Sequence, residues 1–181
     1  FLDTAQIRKN VVSRAKELGY TPSSRTAAKA TFDLTVVSPS GAPQNLTISR
    51  GHEFTTVYDG TSYTFISLDN KTITPTEGSF KFIELDVYQG RLTTDIYMFD
   101  GQVSNQRFPM LNSNIDTSTI SINITSNNVV TAWTRAGDLT SITSSSNVWY
   151  LQENDEGLFE VYFGDGIIGA GPKDGDRITI S

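Results

Sequence analysis

The sequence predicts an α+β fold that is mainly β: one N-terminal helix packed on a β-sandwich-like body, with an inserted β lobe. Three observations predict it. Serine and threonine fill 42 of the 181 positions while helix-favouring Ala, Leu, Glu and Lys are sparse; threonine, valine, isoleucine and aromatic residues favour strands. Only the first twenty residues carry a helical apolar period, whereas later segments alternate with period two. Asp-Gly pairs at 59–60 and 100–101 sit between apolar runs, where they favour hairpin turns.

The helix comes first. Asp3 or Thr4 can cap it, Gln6 stands where a capping box wants an amide, and Ile7, Val11, Ala15 and Leu18 form one stripe. Gly19 stops it, Tyr20 follows, and Pro22 prevents continuation. A short second turn is expected at Ser24 to Lys29. Thr31 to Val37 alternates, with Phe32, Leu34 and Val36 on one side. A turn at residues 39–43 leads to Leu46 and Ile48, and Arg50-Gly51-His52 forms a loop before Phe54 to Tyr58. Asp59-Gly60 joins that run to Tyr63 to Ile66 as a hairpin. Phe80 to Tyr88 reads as one uninterrupted alternation: Phe82, Glu84, Asp86 and Tyr88 on one face, Ile83, Leu85 and Val87 on the other. Gly90 turns the chain into Leu92 to Phe99, and Ile120, Ile122 and Ile124 keep period two. Thr140 to Asn147 is a polar, exposed loop. Val148 to Leu151 then pairs with Leu158 to Phe163 across a turn containing Glu156-Gly157. The expected organisation is a first portion at 1–75, an inserted β lobe at 76–135, and a closing portion at 136–181 that packs with the first.

Composition removes whole classes of function. There are no cysteines, which excludes disulfide frameworks, thiol catalysis and cysteine-ligated zinc. The net charge of −6 suits phosphate-backbone binding poorly. No run approaches the roughly 18 apolar residues of a membrane span, and the start lacks a signal-peptide layout. The charge is polarised. Arg8, Lys9, Arg14, Lys16, Arg25 and Lys29 face only Asp3 and Glu17 at the start, and seven acids from Glu153 onward face Lys173 and Arg177. Such ends are either solvated faces, or they dock within one chain or between copies. Arg8, Lys9, Arg14 and Lys16 are the candidate interface.

Catalytic signals are absent. His52, the one histidine, lies between Gly51 and Glu53 with no nucleophile motif beside it. Glu84 and Asp86 share a strand face, whereas glycosidase carboxylates face each other across a cleft. Asp155, Glu156, Asp165, Asp174 and Asp176 suggest calcium, but their spacing fits no calcium loop, and Asp-Gly turns explain them without metal. The glycines of residues 163–171 are not followed by the Lys-Ser/Thr of a phosphate cradle. Trp133, Trp149 and the tyrosines could line a sugar platform, though such aromatics more often fill cores and interfaces. No cofactor is expected.

The C-terminal end carries something more specific. Val148-Trp149-Tyr150-Leu151, then Gly157 to Phe163-Gly164-Asp165-Gly166, Ile168-Gly169 and Pro172 to Gly175-Asp176-Arg177-Ile178, resembles the signature of the baseplate J-like family: a strand, Phe-Gly-Asp-Gly, a glycine stretch with proline, and Gly-x-x-Ile into another strand. Asn10-Val11 to Leu18-Gly19-Tyr20-Thr21-Pro22 with Ala27-Ala28 is similar to the family's helix, Leu-Gly-Tyr-x-Pro turn and Ala-rich step. Thr47 to Phe54 followed by Tyr63-Thr64-Phe65 fits its strand, loop and Tyr-x-Phe pattern. Residues 76–145 add little beyond β character.

The resemblance implies a non-enzymatic wedge subunit of a contractile-tail baseplate, located in the virion and assembled in the host cytoplasm. It implies partners among copies of itself, in a dimer or ring, and other wedge or hub proteins. It also implies that this chain is a fragment of a longer protein. The site residues it nominates are structural: Phe163, Gly164, Asp165, Gly166, Gly169 and Gly175 in the turn, and Gly19, Tyr20 and Pro22 at the helix terminus. Gly164, Gly166 and Gly169 would set a tight hairpin that side chains would block. A carbohydrate- or calcium-binding β module of a tail fibre or cell-surface protein is the alternative.

Overall fold

A computed structural model describes residues 8–17, 20, 22–37, 41 and 43–181. The chain is mainly β with one short helix, α1 (Arg8–Glu17), and divides into two compact units. Residues 27–93 form one; the other comprises 94–181 with the segment up to Thr26. On α1, Val12 is buried and Val11 and Ala15 are half-buried. The expected stop at Gly19 and the stripe residues Ile7 and Leu18 lie outside the described residues. Tyr20 donates its N–H to the Ala15 carbonyl at 3.0 Å, closing the helix end, and Pro22 follows without regular structure. The second turn expected at Ser24 to Lys29 does not form. Residues 22–28 are irregular and Lys29 already belongs to a strand, because Ala30 to Val37 favour β structure strongly enough to recruit it.

Residues 27–93 build a four-stranded antiparallel sheet ordered β1 (Lys29–Val37), β6 (Ser79–Gln89), β4 (Thr61–Ile66), β3 (Glu53–Tyr58). A ribbon of β2 (Leu46–Ile48) and β5 (Lys71–Ile73) brings Leu46, Ile48 and Ile73 to the same core. That core centres on Phe80, Phe82, Leu85 and Val87, all from β6. The uninterrupted alternation expected for β6 would put Phe82 and Leu85 on opposite faces. A β-bulge overturns it. Phe32 pairs with Leu85 and Leu34 with Phe82, so Asp33 on β1 faces two residues, Ile83 and Glu84. The extra residue shifts the phase by one, turning both halves of the strand inward and leaving Ile83 and Glu84 exposed. Glu84 takes φ +50, its N–H is held by the Asp33 carboxylate at 2.8 Å, and Lys71 donates to the Ile83 carbonyl at 2.5 Å.

The other unit is built on a seven-stranded sheet, in the order β7 (Asp95–Met98), β13 (Arg177–Ile180), β9 (Ile122–Ser126), β10 (Val129–Arg135), β11 (Val148–Glu153), β12 (Phe159–Phe163), β8 (Phe108–Pro109). Neighbours are antiparallel except β10 and β11, which pair in parallel at Thr134–Val148 and Arg135–Trp149. The connection at 136–147 supplies the dozen residues that a parallel crossover needs. Trp133, Trp149, Phe108, Phe159, Ile122, Ile124 and Ile178 fill its core, each large side chain contributing about 1.5–3 kcal/mol. The Trp149 indole N–H donates to the Trp133 carbonyl at 3.2 Å, pinning the parallel joint from inside. The strands within 76–135, expected as one inserted lobe, divide between the two sheets: β6 belongs to the first and β7 to β10 to the second.

Candidate functional site

Of the turn residues nominated from the sequence, Phe163, Gly164, Asp165, Gly166 and Gly169 belong to one hydrogen-bonded structure that follows the β11–β12 hairpin. Phe163, partly buried, closes β12 against Phe108 and Trp133. The chain then crosses itself. A Cβ on Gly164 would collide with the carbonyl oxygens of Ile168 and Gly169, and one on Gly171 would lie 2.8 Å from the Gly164 carbonyl oxygen. Gly169, at φ +83, is buried with Val148 Cγ2 only 2.8 Å from where a Cβ would stand. Gly166, at φ +87, needs glycine for its backbone angle alone, since nothing crowds it. Gly166 N–H donates to the Gly169 carbonyl at 3.0 Å, and Asp165 accepts from the Ile167 amide at 3.0 Å.

The polar loop at 140–147 is what this crossing rests on. Thr143 and Ser146 carbonyls accept from the Gly169 and Ala170 amides at 3.1 and 2.8 Å. Asp138 begins the loop by accepting the Thr140 amide at 2.9 Å, and that bond holds its carboxyl below the ordinary carboxylate range. On the other side, Tyr150 donates to the Ile168 carbonyl at 3.2 Å and stacks on Tyr162, whose ring also carries the Arg107 guanidinium at 3.9 Å. Burial first, then Tyr162 and Asp165, raise the Tyr150 hydroxyl above its usual pKa.

Gly175, at φ +79, belongs to a second turn that packs elsewhere. Its N–H donates to the Phe99 carbonyl at 2.9 Å, and Asp174 accepts the Gly101 amide at 2.9 Å. Asp176 is buried and accepts the Lys173 amide at 2.7 Å. Three of the five carboxylates considered for calcium act as turn caps: Asp165, Asp174 and Asp176 each accept a backbone N–H. Among the described residues no three His, Cys, Asp or Glu side chains cluster to hold a metal ion. His52 is exposed and packs edge-on against Phe54 at 5.0 Å, far in sequence from the turns.

The acidic end is less of a surface than its sequence suggests, for Glu153, Glu160 and Asp176 are buried. Glu160 accepts a hydrogen bond from the Gln152 amide. Of the basic candidates, Arg14 is exposed on α1, while the side chains of Arg8, Lys9 and Lys16 lie outside the described residues. Sequence reasoning missed Gly171, the Thr143–Ser146 support and the Arg107–Tyr162–Tyr150 stack, none of which has a local motif.

Residues 91–178, from just before β7 into β13, match the family of the bacteriophage baseplate wedge protein gp6, third domain. Over 180 residues the chain is 28% identical to the baseplate wedge protein gp6 of Enterobacteria phage T4, covering 97% of this chain. The chain is related to phage baseplate wedge proteins. It spans about a quarter of that relative's length, 26%. The match takes in both glycine turns and also residues 91–145, where the sequence motifs had offered only β character.

Proposed function

We propose that this chain is a structural part of a phage-tail baseplate wedge, acting in the virion as scaffold and not as enzyme. The observation that carries the reading is an overlap: the residues matching the gp6 third domain, 91–178, take in the seven-stranded sheet from β7 into β13 together with its glycine turns. The site chemistry agrees, since its carboxylates and glycines are spent on backbone geometry and hold one shape. Its partners in this reading are other baseplate proteins and further copies of the chain, met through surfaces that include the basic face of α1. The finer architecture, a helix packed on a sandwich-like body, belongs to the same reading and is supported by the burial of Val12.

The test is immuno-electron microscopy of intact and dissociated tails with antibodies raised against this chain. Label on the baseplate body is the expected result. Label on fibre tips, or none on either preparation, would sink the reading. A calcium- or glycan-binding module would instead gain thermal stability from its ligand by linkage; no shift in melting temperature is expected with either.

A further inference from the structure

Asp-Gly occurs at 59–60, 100–101, 165–166 and 174–175. The pair has a chemistry of its own, because no side chain shields the glycine nitrogen. That nitrogen can attack the carboxyl carbon of the aspartate before it and close a five-membered succinimide ring. The N–Cγ bond forms as the Cγ–OH bond breaks, and the amide proton leaves with the hydroxyl as water. A second water opens the ring at either carbonyl. Opening at Cγ restores aspartate; opening at the main-chain carbonyl gives isoaspartate, with the backbone rerouted through Cβ and Cγ. The water lost is returned, so no other reactant is needed. Both the carboxyl and the glycine amide must be free to react.

Three of the pairs hold both groups. Asp100 accepts the Gln102 amide and the Gly101 N–H donates to Asp174, each at 2.9 Å. Asp165 accepts the Ile167 amide and the Gly166 N–H donates to the Gly169 carbonyl, each at 3.0 Å. Asp174 takes the Gly101 amide, and the Gly175 N–H donates to the Phe99 carbonyl at 2.9 Å. The fourth pair holds neither. Among the described residues the Asp59 carboxylate and the Gly60 N–H have no hydrogen-bond partner, and both residues are exposed.

The backbone around Asp59 is also the easiest to open. Asp59 and Gly60 have φ 47 and 71, as a two-residue hairpin turn requires. That turn points the Asp59 Cβ away from the Gly60 nitrogen, so the ring closes from opened turns. β4 pairs with β6 only at Phe65 and Ile66, so the rows from Thr55–Thr64 to Tyr58–Thr61 have no third strand in register. Every residue from Thr55 to Ser62 is exposed. A two-stranded ribbon is marginally stable in water, and segments with few buried contacts open at the least cost.

We propose that Asp59-Gly60 is a site of self-modification, where this chain converts aspartate to isoaspartate through a succinimide, and that hydrogen bonds shield the other three pairs. The product keeps its negative charge and adds one atom to the main chain of the turn. A two-residue turn has no room for that atom, so the Tyr58–Thr61 pair should loosen as the product accumulates.

The test is to age the folded chain at neutral pH, below its melting temperature, in water labelled with heavy oxygen. Trypsin then places the four pairs in separate peptides, 51–71, 92–107, 136–173 and 174–177. Chromatography with electron-based fragmentation locates isoaspartate in each. Asp59 should convert and take up heavy oxygen, and the other three should convert at least about tenfold more slowly, since two hydrogen bonds must break first. In denaturant the four rates should become comparable. Asp174→Ala frees the Gly101 amide and should raise conversion at Asp100 about fivefold. No isoaspartate at Asp59 in the folded chain would overturn the proposal, as would another pair converting as fast. A lead for Asp59 that persists in denaturant would assign the difference to neighbouring sequence instead of the fold. An unchanged rate at Asp100 in Asp174→Ala would remove hydrogen bonding as the shield.

Discussion

Gly164 and Gly166 stand two residues apart in the same turn and are glycine for different reasons. Gly166 has open space but a left-handed backbone, so Gly166→Ala should cost about 1–2 kcal/mol, the usual penalty for a side chain in that region. At Gly164 the obstacle is backbone: a methyl group would collide with two carbonyl oxygens that are fixed by the chain crossing. Gly164→Ala should therefore cost about 3 kcal/mol, at the upper end of overpacking. At roughly 2–4 °C per kcal/mol for a chain of this length, thermal unfolding should rank Gly164→Ala clearly below Gly166→Ala. Equal losses would mean that the crossing relaxes freely. The Phe-Gly-Asp-Gly motif was legible in the sequence because its signal is local. Its ranking was not, because the atoms that forbid a Cβ at Gly164 come from residues 168 and 169, and those that hold the turn from Thr143 and Ser146.

At the scale of the element, β6 shows where periodicity reads correctly and where it fails. Most strands were legible from alternation, including β3, β4, β11 and β12 and the antiparallel partnerships within each pair. β6 has two apolar phases, Phe80/Phe82 and Leu85/Val87, and only a bulge lets one core accept both. The clue was the adjacent Phe82-Ile83 and the exposed Ile83 it produced; what hid it was the assumption of a single period. β10 went unseen because six of its seven residues face solvent and only Trp133 is buried. The bulge makes its own prediction. Glu84 sits at φ +50, so Glu84→Gly relieves a strained backbone and should stabilise the chain by several tenths to about 1 kcal/mol if the Asp33 bond survives. Two residues on, Asp86 is held below its ordinary value of 3.8 by Lys29, 2.7 Å away, and by the Thr31 hydroxyl. Its folded pKa is depressed, so its contribution is fully present above 3.8 and is lost as pH falls through the lower folded value. Asp86→Asn should flatten the acid limb of stability against pH; an unchanged limb would assign that limb to other carboxylates.

For the whole molecule, the lobe boundaries looked for at the turn-rich segments around 76 and 135 miss the grouping that strand pairing produces, because turns are as frequent inside these sheets as between them. Pairing between distant strands decides the grouping: β1 with β6 spans residues 29–89, and β13 with β7 and β9 returns the C-terminus to residues 95–126. Residues 27–93 thereby form a continuous insert whose two ends meet, since Lys29 pairs with Tyr88 and the Gln89 amide donates to the Ala28 carbonyl at 2.8 Å. Segments with adjacent ends and a core of their own can be removed without opening the host. Replacing Ala27 to Thr93 by a short Gly-Ser linker should leave the seven-stranded sheet folded, because its core, centred on Phe108, Trp133, Trp149 and Ile178, is assembled from residues of its own unit. The shortened chain should show one cooperative unfolding transition and keep the near-ultraviolet signal of the buried Trp133 and Trp149. The insert alone, whose main core cluster among the described residues has five buried members and seven half-buried partners, should be the weaker of the two. Loss of the tryptophan signal on excision would show that the larger sheet is held by the insert, and that the two units are one folding body.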